Sequence, residues 1–137
     1  QMVFEFEVTT DPGKYWLLNP TNSKGTAILV PGQYKNTYKL GLHRKKYEAL
    51  VQTIPVKVYR DGNRNLTLNM SGQIYKGLYG INIHRSNPVN ESFKVNKWSA
   101  GCQVFKRVKD YNHVIEICKK SKKRLFTYTL LEEKDFD

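Results

Sequence analysis

Hydrophobic and polar residues alternate, or form short apolar runs, in several segments of the chain. A period of two places successive side chains on opposite faces of a strand, so one face of each segment can be buried. The pattern therefore predicts β-strands at residues 3–8, 26–30, 33–42, 55–60, 66–68, 81–84, 102–105 and 125–131.

A helical period is clear in one segment, residues 109–120. Its apolar positions recur at intervals of three and four, as one buried helix face requires; they are Tyr111, Val114, Ile115 and Cys118. Residues 43–51 carry a weaker version of the same period and predict a short second helix.

Turn signals separate these segments, and Asp61-Gly62-Asn63 predicts a β-hairpin between the strands at 55–60 and 66–68. The many short strands, set against one or two helices, predict a mainly β domain of the sandwich or barrel type with peripheral helices. The 137 residues fit a single domain, residues 1–137, of which 132–137 form an acidic tail. No apolar run approaches the roughly 20 residues of a membrane-spanning helix, so no span is expected.

The formal net charge is +11, and it is unevenly distributed. The 132–137 tail has four acidic residues and one lysine, so the other residues have 22 basic and 8 acidic side chains, a balance of about +14. A surface this basic attracts polyanions through long-range, salt-sensitive fields. Anionic cell-wall polymers and nucleic acids are both polyanions of this kind, and a solvated surface without a specific partner is the alternative.

Nucleic-acid binding is the less favoured of these functions. It is supported by nine tyrosines, which can stack on bases, and by a basic cluster consisting of Lys106, Arg107, Lys109, Lys119, Lys120, Lys122, Lys123 and Arg124. No nucleic-acid-binding motif accompanies the cluster, and the tyrosines are scattered. A basic binding or structural module would also leave the following pair of residues unexplained.

Cys102 directly follows a glycine, and His84 stands 18 positions upstream (102 − 84) at the end of an apolar run. A thiolate is the reactive form of cysteine, and a neighbouring imidazole can accept the thiol proton. In the run that ends at His84, the period of two turns this histidine away from the core isoleucines and toward a groove. The sequence predicts a Cys102 nucleophile with His84 as its base, and a thiol more acidic than the free value of roughly 8.5.

These residues also resemble a known family. His84, Ser99, Gly101 and Cys102 are similar to the active-site signature of the L,D-transpeptidase catalytic domain (YkuD-like) family, and the run 98–104, Trp-Ser-Ala-Gly-Cys-Gln-Val, resembles a version found in a subset of that family. The resemblance covers about residues 8–108, and its specific part lies within 80–105. It implies a YkuD-like β-sandwich or barrel that acts on peptidoglycan stem peptides, in the periplasm, the cell wall or a phage particle.

In that family the cysteine attacks a peptide carbonyl and forms a thioester, which an amine or water then resolves. By resemblance Cys102 is the nucleophile and His84 the base, and the backbone carbonyl of Ser99 orients the imidazole. Gly101 is part of the oxyanion site, because a glycine allows the backbone to approach a substrate closely. No cofactor is implied.

Two features of this run depart from the family pattern. Ala100 replaces the usual histidine between serine and glycine, and Gln103-Val104 replaces the usual aliphatic residue followed by arginine or asparagine. Arg85 is expected to supply a charge from another direction, and Trp98 is expected to form a wall of the site. The predicted oxyanion and substrate-binding residues are therefore Gly101, Ala100, Gln103, Arg85 and Trp98. The missing arginine leaves open a peptidoglycan-cleaving carboxypeptidase or endopeptidase of a phage or toxin, and also a degenerate structural domain.

The other histidines and the second cysteine have plainer predicted roles. His43 lies in a basic run and His113 on the polar side of the helix, so both are predicted to be surface residues. Cys118 is predicted to be a buried free thiol rather than a disulfide partner. Three histidines and two cysteines without ligand spacing predict no metal site.

Overall fold

The computed structural model describes residues 2–89, 97 and 99–137. In these residues the fold is mainly β, as predicted, with two sheets and two α-helices. The strands are β1 (Val8–Thr9), β2 (Thr26–Leu29), β3 (Gly32–His43), β4 (Tyr47–Gln52), β5 (Val56–Asp61), β6 (Tyr75–Gly77), β7 (Ile83–Arg85), β8 (Gln103–Phe105) and β9 (Phe126–Leu130). The helices are α1 (Lys14–Leu18) and α2 (Val108–Lys120), and a short 3-10 helix covers Glu133–Phe136.

The larger sheet has six strands in the order β1-β8-β7-β4-β3-β9. Its neighbouring strands are antiparallel except for β7 and β8, which are parallel. In the parallel pair His84 lies opposite Val104. Because side chains alternate along a strand, Cys102, two residues before Val104, falls on the same face of the sheet as His84.

Helix α2 covers the other face of this sheet. Its buried positions join a core cluster formed by Tyr38, Leu50, Ile83, Phe105, Tyr111, Ile115 and Cys118. The predicted helical period is therefore the buried stripe of α2, and Cys118 is buried as predicted. Both cysteines are free thiols.

The smaller sheet has three antiparallel strands in the order β2-β5-β6. It encloses a second core cluster, which consists of Ala27, Leu29, Val56, Val58 and Ile81. Burying an aliphatic side chain of this size contributes roughly 1.5–3 kcal/mol. Ile81 belongs to this second cluster and Ile83 to the first, so the segment that enters the candidate site is anchored in both cores.

The helix predicted for residues 43–51 is wrong, because β3 and β4 form a hairpin there, with His43 paired to Tyr47. The Lys46 N–H donates to the His43 carbonyl across the turn. Arg44 and Lys45 adopt φ angles of 49° and 59°, a left-handed conformation that usually belongs to glycine or asparagine. The turn therefore lacks the residues that normally mark a hairpin in a sequence.

In the described residues, most of the strand predicted at 3–8 and all of the strand predicted at 66–68 are absent. In 3–8 only Val8 enters a strand, and the rings of Phe4 and Phe6 lie instead against His113 of α2. The segment 66–68 is a loop because the Asp61 carboxylate accepts N–H groups from residues 63 and 69 and holds the chain in a bend. Strand β5 consequently pairs with β6 rather than with 66–68.

None of the helices in the described part of the chain combines the length and the apolar character needed to cross a membrane.

Candidate active site

Cys102 lies immediately before β8, and its sulfur is held between two backbone groups. The thiol donates to the Gly80 carbonyl, with an Sγ–O distance of 3.2 Å, and the Asn82 N–H donates to the sulfur at 3.4 Å. Both groups belong to the segment that leads into β7. The approach to β7, rather than β8 itself, therefore fixes the position of the thiol.

His84 lies in β7 and is buried. Its Nδ1 atom is 2.7 Å from the Arg85 carbonyl oxygen, a distance at which Nδ1–H donates to that oxygen. The Tyr47 hydroxyl donates to the same carbonyl at 3.1 Å and lies 3.3 Å from Nδ1. Since the proton is held on Nδ1, Nε2 is left as the basic nitrogen.

Cys102 and His84 line one pocket of about 270 Å³. The other residues of its lining are His43, Arg44, Tyr79, Gly80, Ile81, Asn82 and Ala100. Cys102 and His84 thus line the same pocket from two adjacent parallel strands, but no hydrogen bond joins them directly, since the thiol donates to the Gly80 carbonyl. A pocket of this size has room for the few atoms around a single peptide bond.

His43 is buried rather than exposed, so its predicted surface position is wrong. Its ring stacks on that of His84, with the centroids 4.1 Å apart and the planes at 18°. The basic residues of the turn, 44–46, are exposed, whereas His43 at the end of β3 is buried and lines the pocket together with Arg44. A run of basic residues in the sequence therefore did not mean that every residue within it lies on the surface.

Asn82 connects the pocket to the body of the sheet. Its side-chain oxygen accepts the Gln52 N–H at 3.0 Å, which fixes the orientation of the amide, and its nitrogen donates to His43 Nδ1 at 3.2 Å. His43 consequently accepts on Nδ1. The Asn82 side chain fixes the stacked His43 while its backbone N–H contacts the Cys102 sulfur.

Gln52, the last residue of β4, holds the segment that passes the thiol. Its Nε2 donates to the carbonyls of Ile54 and Gly77, each at 2.9 Å. Its Oε1 accepts the N–H groups of Tyr79 at 3.3 Å and Ile81 at 3.0 Å. These bonds fix both sides of Gly80, whose carbonyl accepts the Cys102 thiol.

Burial is the largest influence on the pKa values of Cys102 and His84, and in both cases it favours the neutral form. It raises the pKa of the Cys102 thiol above its ordinary value, and the Asn82 N–H and the Arg44 guanidinium offset this only in part. Burial lowers the pKa of His84, while its bond to the Arg85 carbonyl acts in the opposite direction. The expected acidic thiol is therefore wrong, and both groups are neutral in the resting protein near pH 7.

Ser99 and Gly101 form hydrogen bonds that hold the loop before β8 in place. The Ser99 carbonyl accepts the Gly13 N–H at 2.8 Å, so the carbonyl that orients His84 belongs to Arg85 and not to Ser99 as predicted. The Ser99 hydroxyl donates to the Cys102 carbonyl at 2.8 Å and accepts the Gly101 N–H at 3.2 Å. That N–H is thus engaged within the loop, and the oxyanion role predicted for Gly101 is not supported.

Gly101 is required for a different reason. Its φ of 126° is a conformation that side chains disfavour, and a Cβ there would lie 2.5 Å from the Ala27 carbonyl oxygen. Glycine therefore lets the loop before Cys102 lie directly against β2. Gly101 therefore affects the position of Cys102.

The remaining predicted residues divide between the pocket and the interior. Ala100 lines the pocket with Cys102, and Arg85 lines the adjoining one. Gln103 is buried, accepts the Tyr128 hydroxyl at 2.8 Å and donates to the Thr10 carbonyl at 3.3 Å, so its side chain is engaged within the protein and does not line the pocket. Trp98 lies outside the described residues.

Five residues that shape the pocket were not predicted from the sequence: His43, Arg44, Tyr47, Gln52 and Asn82. The period of two already placed Asn82 on the same face as His84, which was a usable signal. The residues from β3 and β4 gave none, because their proximity depends on a hairpin whose turn lacks glycine.

Among the residues that the structure describes, no group of three or more histidine, cysteine or acidic side chains could hold a metal ion.

No protein-family model matches the chain, and no match was found among curated proteins or solved structures. Any function assigned to the site therefore depends on its own geometry and on the motif around Cys102.

Proposed function

We propose that the chain is a cysteine acyltransferase that acts on peptidoglycan stem peptides through a Cys102 thioester. The main support is that Cys102 and His84 line one pocket, with the imidazole held so that Nε2 is its basic nitrogen. The L,D-transpeptidase-like motif around Cys102 supports the choice of stem peptides as substrate.

The neutral resting state favours a general-base mechanism over a preformed ion pair. As Cys102 Sγ bonds to a peptide carbonyl carbon, His84 Nε2 accepts the thiol proton. The resulting imidazolium returns that proton to the leaving amine when the C–N bond breaks, and a thioester remains. An acceptor amine or water then attacks the thioester, His84 accepts its proton, and the sulfur leaves and is reprotonated.

The negative oxygen formed on the substrate carbonyl needs a hydrogen-bond donor beside the sulfur. Within the described residues the Cys102 N–H donates to no protein acceptor, whereas the Gly101 N–H is used by Ser99. We therefore assign the Cys102 N–H as the oxyanion donor. A donor of this kind typically contributes a factor of about 10²–10³ to the rate.

Turnover of purified stem tetrapeptides, followed by mass spectrometry, tests this function. The wild-type protein should convert them, Cys102→Ala should abolish conversion, and His84→Gln should slow it by about 10²–10⁴-fold. His113→Gln, at an exposed position on α2, is the control and should retain the wild-type rate. Adding an amine acceptor shows whether the thioester is passed to an amine or to water, and absence of any conversion would contradict the proposal.

A further inference from the structure

A second pocket, of about 370 Å³, adjoins the one that contains the thiol. His43, Arg44 and His84 line both. The rest of the second lining consists of Lys46, Tyr47, Arg85, Ser86, Pro88 and Lys97. We call this the cationic pocket, because four of its lining side chains are positively charged and none is acidic.

No carboxylate of the described residues neutralises the positive charge of this pocket. Among the described residues, Arg44, Lys46, Arg85 and Lys97 form no ion pair with a carboxylate. The Arg85 guanidinium lies 3.9 Å from the centroid of the Tyr47 ring, a contact that orients the cation without cancelling its charge. Several uncompensated cations around a concave surface create a field that favours an anion.

An unpartnered polar group points to a ligand in the same place. Ser86 lines the cationic pocket, its residue surface is 4% exposed, and its hydroxyl is buried with no hydrogen-bond partner among the described residues. Buried hydroxyls are nearly always hydrogen-bonded, and leaving one unpaired is costly. An acceptor oxygen carried by a ligand would satisfy it.

We propose that the cationic pocket binds a carboxylate of the substrate, beside the carbonyl that Cys102 attacks. This inference rests on the proposed acyl-transfer function of the neighbouring thiol. A carboxylate offers acceptor oxygens both to the guanidinium groups and to the Ser86 hydroxyl. It can belong to the end of a peptide or to an acidic side chain, and both sources share the chemistry that the pocket recognises.

Alkylation of Cys102 tests the charge preference without requiring turnover. Iodoacetate and iodoacetamide react with the same thiolate but differ in charge, so the ratio of their rates cancels the ionised fraction of the thiol. Arg44→Gln should lower the iodoacetate-to-iodoacetamide ratio by at least about 5-fold. Lys120→Gln removes the same charge from an exposed position on α2 and should leave the ratio nearly unchanged.

An equal fall in the two variants would mean that only the overall charge matters, and would overturn the proposal. Arg44→Lys keeps the charge and should keep most of the wild-type preference, which separates charge from damage to the hairpin. A wild-type ratio no higher than that of a small free thiol would also contradict a carboxylate site.

Competition identifies the source of the carboxylate. N-acetylalanine presents a terminal carboxylate and N-acetylglutamic acid α-amide a side-chain one, while N-acetylalaninamide is neutral. At constant ionic strength at least one carboxylate should slow iodoacetamide at Cys102, and the amide should not. Equal protection by the amide, or stronger protection by inorganic phosphate, would overturn the assignment.

These measurements separate this proposal from the preceding one. If the charge preference holds but stem peptides are not converted, the pocket remains and the acyl-transfer function fails. If stem peptides are converted without a charge preference or carboxylate protection, the function remains and the pocket assignment fails.

Discussion

The ring of His43 stacks on the ring of His84, with centroids 4.1 Å apart. Both residues are buried, and the nearby guanidinium groups of Arg44 and Arg85 disfavour additional positive charge on either. Burial, the neighbouring His84 and these two guanidinium groups lower the pKa of His43 to about 4. Burial and the same guanidinium groups lower the pKa of His84, so both stacked imidazoles are neutral near pH 7.

Folding stability should fall when the pH is lowered through the range in which unfolded histidine becomes protonated. Because the folded pKa of His43 is below the unfolded value of about 6.5, its stabilising contribution is complete above pH 6.5 and is lost toward pH 4. Between pH 7.5 and pH 5 this residue should account for a loss of about 2 kcal/mol. Urea denaturation at each pH measures it.

His43→Gln keeps an acceptor for the Asn82 amide but cannot be protonated, so it should remove that part of the pH dependence. The matched control is His113→Gln, which changes an exposed histidine on α2. The explanation fails if both variants retain the full pH dependence of the wild type.

The thiol should titrate on the alkaline side of an ordinary cysteine. Burial raises the pKa of Cys102, and Arg44 counteracts it, so Arg44→Gln should raise the pKa further. The rate of Cys102 alkylation by iodoacetamide, measured against pH, should have its midpoint above roughly 8.5. A midpoint near 6 would instead indicate a preformed thiolate–imidazolium pair and contradict the neutral resting state.

Gly101→Ala should destabilise the fold through the contact with β2, even when no substrate is present. A Cβ at position 101 adds a clash with the Ala27 carbonyl to the strain of a positive φ, and we expect a loss of at least about 2 kcal/mol. Gly72→Ala is the control, because Gly72 has a φ of 84° with open space around it. Equal losses of stability in the two variants would show that the contact with Ala27 is unimportant.

The β3–β4 turn should be stabilised by a glycine at position 45. Lys45 has a φ of 59°, a left-handed conformation that is strained for a residue with a Cβ atom. Replacing it by glycine removes this strain and should raise the free energy of unfolding by about 0.5–1 kcal/mol. Lys46→Gly changes the next residue of the same turn, where no positive φ occurs, and should give no gain. Thermal unfolding of both variants measures the difference. A loss of stability in Lys45→Gly would contradict the presence of backbone strain at Lys45.

Six of the strands (β2, β3, β5, β7, β8 and β9), helix α2 and the pairing of His84 with Cys102 in one pocket could be predicted because their signals are local. Alternation identified most of β2, β3, β5 and β9, and the helical period identified α2 nearly to its ends. The sequence pattern placed His84 at the end of one predicted strand, 81–84, and Cys102 at the start of another, 102–105. Such patterns depend on burial of one face and need no knowledge of the partner strand.

What the sequence did not indicate depends on contacts between distant segments. The turn at Arg44 and Lys45 has no glycine or asparagine, so its hairpin and the burial of His43 were hidden. The carbonyl that orients His84 comes from Arg85, and every backbone has a carbonyl, so no residue type marks it. Gln52 could be recognised only after both sides of Gly80 were in place.

The central claim is that Cys102 carries the acyl group of a stem peptide. Rapid acid quenching during turnover, followed by peptide-level mass spectrometry, measures it most directly. The account predicts a stem-peptide acyl group attached through a thioester at Cys102 in the wild type, and no such group and no turnover in Cys102→Ala. Stem-peptide conversion at the wild-type rate by Cys102→Ala would contradict it.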